Sequence, residues 1–98
     1  MRVNIRALRS RRPGSEALTR YETVARVLTS KPTADPETGT EWVNHLCEEL
    51  EVRPLRTYGL GSEHLPSLVE KASAANSTKG NPLPLTQEEM AEILDRAI

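Results

Sequence analysis

The chain has 98 residues and a mass of 10.9 kDa, with 37% hydrophobic and 28% charged residues and a net charge of −1. That length allows one domain, residues 1–98, with a modest core that buries roughly 60–65% of the unfolded surface. Trp42, Tyr21 and Tyr58 are the only aromatics, no apolar run approaches about 18 residues, and Cys47 is alone, which excludes an aromatic-rich β-sandwich, a membrane-spanning helix and a disulfide framework.

The first predicted helix, around Val3 to Leu8, sets Val3, Ala7 and Leu8 on one side and Arg2, Arg6 and Arg9 on the other. Residues 1–12 carry five arginines and no acid, whereas the rest of the chain holds eight bases against fourteen acids. A basic arm of this kind can contact phosphates. No aromatic interleaves with these arginines, so a base-stacking platform is absent and nucleic-acid binding is a minor reading. Met1 leads into arginines without an apolar stretch behind them, unlike a secretory signal, and the expected compartment is the cytoplasm.

Pro13-Gly14 ends this segment, and Ser15 with Glu16 opens a second helix whose stripe is Leu18, Tyr21, Ala25 and Leu28, with Val24 beside it. Asp35-Pro36 forms a cap and first-turn pair for a third helix to about Leu50, with Gly39, Val43, Leu46 and Leu50 inward. Trp42 and Cys47 flank that face, and Cys47 reads as a half-buried packing residue. Val52 to Leu55 is extended ahead of a turn at Tyr58-Gly59-Leu60-Gly61. Ser62 is the expected cap of a fourth helix, Glu63 to about Ala75, with Leu65, Leu68, Val69 and Ala72 inward. Residues 77–85 are the least helical, and Thr86 with Glu89 forms a capping box for a last helix that buries Met90, Ile93, Leu94 and Ala97. The expected fold is all-α, a small irregular bundle of about five amphipathic helices.

Little in this pattern is catalytic. His45 and Cys47, two apart on one helix, point about 200° apart and cannot share a metal. His64 sits in a first turn, and no third imidazole exists to complete a catalytic zinc set. Glu48 and Glu49 follow Cys47 and disfavour a thiolate nucleophile. No phosphate-binding glycine motif or nucleophile elbow is present. Lys79-Gly80-Asn81-Pro82 is the most distinctive stretch. A glycine there permits a sharp turn or a close approach, and Asn81 is placed to bond a neighbouring backbone group.

The order of several pieces nevertheless resembles one family. They are Asn4-Ile5-Arg6-Ala7-Leu8, Leu18-x-Arg20-Tyr21-x-x-Val24-Ala25, Pro54-Leu55-x-x-Tyr58-Gly59-Leu60 and Leu68-Val69-Glu70-Lys71-Ala72. Lys79-Gly80-Asn81-Pro82 follows, with Leu85-Thr86-x-Glu88-Glu89 and Ile93-Leu94-x-x-Ala97 behind it. Together they are similar to the all-helical C-terminal domain of the iron-containing (group III) alcohol dehydrogenases, maleylacetate reductase-like members included. The resemblance spans nearly all of this chain and roughly the last quarter of the family.

The resemblance implies an oxidoreductase that uses NAD(P), bound by a separate α/β domain, and a divalent metal such as iron or zinc held by one aspartate and three histidines. His45 and His64 do not match those ligand positions. No catalytic, cofactor-binding or metal residue therefore carries over, and the chain is expected to be a truncated or degenerate domain, inactive alone. Ser77 and Thr78 match the stretch that approaches the family's substrate cleft, although Thr78 stands where the family usually has methionine. The expected partners are a second copy or an upstream dehydrogenase segment, and the alternative function is a helical interaction module. An unpartnered apolar face is expected at Val3, Ala7 and Leu8, and another at Leu83–Leu85.

Overall fold

A computed structural model describes residues 1–98. It contains five α-helices, α1 (Arg2–Arg11), α2 (Glu16–Thr29), α3 (Pro36–Glu49), α4 (Leu65–Ala74) and α5 (Gln87–Asp95), and no strand. Short 3-10 helices occupy Leu55–Tyr58, Ser62–His64 and Asn76–Gly80. The all-α expectation holds. The chain forms two compact units, Met1–Val52 and Arg53–Ile98.

In the first unit α2 and α3 pack closely because both present small residues at their crossing. A Cβ built on Gly39 would lie 2.7 Å from the Cβ of Ala25, and both residues are buried. Ser15 Oγ accepts from the Ala17 amide at 3.2 Å to start α2, and Asp35 Oδ1 accepts from the Thr38 amide at 2.7 Å to start α3. Two side-chain contacts tie α1 to this pair. Asn4 Nδ2 donates to Tyr21 Oη at 3.1 Å, and Arg9 pairs with Glu37 at 2.7 Å.

The expected open face on α1 does not exist. Val3, Ala7 and Leu8 are buried, as is Ile5, which projects about 200° around the helix from Val3. A wide arc of α1 is therefore covered, and its arginines occupy what remains. Leu83 is buried as well and Leu85 is half-buried, so the second expected patch is also closed.

Five other expectations fail at the exposed ends and sides of helices, among them Ile93, 40% exposed on α5, and Ala97, exposed beyond its end. Leu50 is 67% exposed, because α3 ends at Glu49 and the chain leaves the helix there. Val24 lies at the edge of the α2 stripe and is exposed, and Cys47 is exposed rather than half-buried.

In the second unit α4 packs on α5, with Val69 and Leu83 buried. The Leu55 amide donates to the Ala97 carbonyl at 2.7 Å and joins the start of this unit to its end. Gly59 adopts φ of 82°, the left-handed conformation that ends the first 3-10 helix and that glycine adopts without steric cost. The fourth helix starts later than its sequence implies. Ser62 does not cap it; a 3-10 turn over Ser62–His64 intervenes, and Pro66 lies in the first turn of α4, where a missing amide costs nothing. The last helix begins as expected, with Glu89 N–H donating to Thr86 Oγ1 at 3.2 Å and Thr86 N–H donating to Glu89 Oε2 at 2.8 Å.

Candidate functional site

The turn between α4 and α5 contains both candidate cleft residues, Ser77 and Thr78. It is built as a 3-10 helix, Asn76–Gly80, held by a side chain from its middle and another from the residue after it. Thr78 Oγ1 donates to the Ala72 carbonyl at 2.6 Å, adding a side-chain donor to an acceptor in the last turn of α4. The Ala75 amide reaches the same oxygen at 3.2 Å. Asn81 Nδ2 donates to the Leu83 carbonyl at 2.8 Å, the local bond to neighbouring backbone that its place before Pro82 allows.

The two candidates are consequently unlike. Thr78 is half-buried with its hydroxyl committed to α4, whereas Ser77 and Lys79 are exposed. Gly80 differs from its expected role. Its φ is not positive, and a Cβ added there would meet nothing within 4 Å. The 3-10 turn and the Asn81 side chain turn the chain at this point without help from glycine.

Each unit contains one histidine, and each is engaged locally. His45 on α3 is exposed, with Nε2 3.4 Å from Glu49 Oε1 and Nδ1 3.9 Å from Glu48 Oε2. His64 Nδ1 accepts the Gly61 amide at 3.0 Å. In this bond Nδ1 is the acceptor. Glu63 Oε1 lies 3.5 Å from the same nitrogen and cannot share it while Gly61 donates. This role of His64 was missed from sequence, although Gly-x-x-His copies the three-residue reach of a Thr-x-x-Glu box. The Thr78–Ala72 bond carried no such signal, because six residues separate the partners.

The model describing the C-terminal part of the Fe-containing alcohol dehydrogenase family matches residues 1–98, the whole chain. The chain belongs to that family. No curated protein and no solved structure matches it.

The iron in the family's name gives the donor set of this chain a direct test, which it fails. No three His, Cys, Asp or Glu side chains lie together in an arrangement able to hold a metal ion. His45 is flanked only by carboxylates of its own helix, and the Nδ1 of His64 is taken by a backbone amide. The residues of this iron-containing alcohol dehydrogenase domain do not fit a resident metal. They also present no glycine-rich turn of the kind that holds a dinucleotide phosphate.

Proposed function

We propose that this chain supplies the helical C-terminal part of an iron-containing alcohol dehydrogenase and is not catalytic by itself. NAD(P) and the divalent metal belong, in this reading, to a dehydrogenase segment outside these 98 residues. The supporting observation is the combination of a family match along the whole chain with a donor set that cannot assemble a metal site. Ser77, exposed on the turn after α4, is the residue of this chain proposed to face a substrate cleft completed by that segment. Thr78 contributes by fixing the turn through Ala72. The proposed compartment is the cytoplasm.

Metal analysis and nicotinamide-dependent alcohol oxidation test the reading. The purified chain is expected to retain no stoichiometric iron or zinc and to oxidise no alcohol. Mixing it with a separately expressed dinucleotide- and metal-binding segment of a family enzyme is expected to yield activity. Activity or tight metal binding by the chain alone contradicts the proposal, and so does the failure of every such mixture.

A further inference from the structure

The second unit carries two surfaces of opposite chemistry. One is a knob on the first 3-10 helix, Leu55–Tyr58. Tyr58 is 70% exposed, and Arg53 and Arg56 are exposed beside it in sequence with no ion-pair partner. Backbone bonds hold this turn in place. The Thr57 amide donates to the Pro54 carbonyl at 3.0 Å, that of Gly59 to Arg56 at 3.1 Å, and that of Leu55 to Ala97 at 2.7 Å. A fixed backbone carrying a large exposed aromatic ring loses little entropy on docking.

The other surface is a groove between α4 and α5 of about 520 Å³. Leu65, Pro66, Val69 and Ala91 supply its apolar lining, and Val69 is only 8% exposed. The charged residues that line it are Glu70 and Glu88, with no cation among the lining side chains. The Glu88 carboxyl is held below the usual carboxylate range by its own backbone amide and by Thr86, so it stays ionised into acid.

We propose that the Arg53–Arg56–Tyr58 knob of one chain docks into the α4–α5 groove of a second copy. The ring enters the apolar lining while the two guanidinium groups meet Glu70 and Glu88. Tyr and Arg at the centre of a desolvated patch are the residues that carry most binding energy at protein interfaces. The guanidinium fork suits carboxylate recognition. Each copy has both surfaces, so two copies related by a two-fold axis can give and receive at once, and otherwise the contact propagates head to tail. The association involves neither a metal nor a dinucleotide and does not depend on the proposed dehydrogenase role.

Sedimentation velocity over a range of concentrations tests this on the full chain, with circular dichroism confirming that each variant is folded. Wild type is expected to associate reversibly in the micromolar range. Tyr58→Ala is expected to weaken association by roughly tenfold or more, the loss typical of a buried interface aromatic. Arg53→Glu/Arg56→Glu and Glu70→Lys/Glu88→Lys are each expected to stay monomeric alone and to associate when mixed, because the exchange restores both charge pairs. Three results overturn the proposal. They are a wild type that remains monomeric at every concentration, charge-reversed variants that associate like wild type, and folded reversed variants that fail to combine. A monomeric wild type that binds a labelled single-stranded oligonucleotide, with binding lost in Arg53→Glu/Arg56→Glu, assigns the knob to nucleic acid instead.

Discussion

Asp35 shows how much a single side chain can commit to a helix start. Thr38 donates to Asp35 Oδ1 through both its hydroxyl and its amide, each at 2.7 Å. These bonds, helped by the charge of Arg9, hold the carboxyl below the ordinary aspartate value of 3.8. A group whose folded value is depressed stabilises the fold above its unfolded value, and that contribution is lost as pH falls through the folded one. The Asp35 cap is therefore expected to be intact above about pH 4 and to weaken below it, where Asp35→Asn flattens the acid limb of α3 melting followed by circular dichroism. At Gly39 the decisive quantity is space. The missing Cβ would sit 2.8 Å from the Ala25 Cα, which belongs to backbone and cannot swing aside. Gly39→Ala is expected to cost about 1–3 kcal/mol in denaturant unfolding, the usual range for overpacking, and a neutral result would mean that α2 and α3 separate freely.

Among the elements, caps decide where helices begin and packing decides where they matter. Thr86→Ala is expected to cost about 0.5–2 kcal/mol, because it removes the oxygen that accepts from Glu89 and opens the reciprocal box. Urea titration measures this, and a change near zero would place the start of α5 elsewhere. The caps at Ser15, Asp35 and Thr86 were legible in sequence because each reads from partners two or three residues away. The start of α4 was not, since serine at position 62 satisfies the same local rule, yet a 3-10 turn over Ser62–His64 intervenes and α4 begins with no side-chain cap. Burial on α1 was misread for a related reason. Arginines on one side suggested a free helix, and nothing within eleven residues announces that Val3 and Ile5, far apart around the axis, are both covered. The candidate cleft residues were legible only through family resemblance, because Ser77 and Thr78 form no chemical constellation of their own.

On the scale of the whole chain, the buried helix at the N-terminus changes what a familiar substitution should do. Leu8 is 0% exposed, so Leu8→Ala is expected to cost about 2–5 kcal/mol through the cavity it leaves. Sedimentation of the folded variant should match wild type, because this position faces the core and lies outside the proposed interface. A variant of wild-type stability would show that Leu8 adds nothing to the core. The bond from the Leu55 amide to the Ala97 carbonyl has its own consequence for biosynthesis. The ribosome delivers the donor first and the acceptor more than forty residues later. Until residue 97 emerges, the turn that carries Arg56 and Tyr58 lacks one of its anchors, whereas the contacts within Met1–Val52 are all available earlier. Long-range closure of this sort is slow relative to local helix formation. The second unit is therefore set to mature late, its basic knob gaining its final shape only as synthesis of the chain reaches the closing helix.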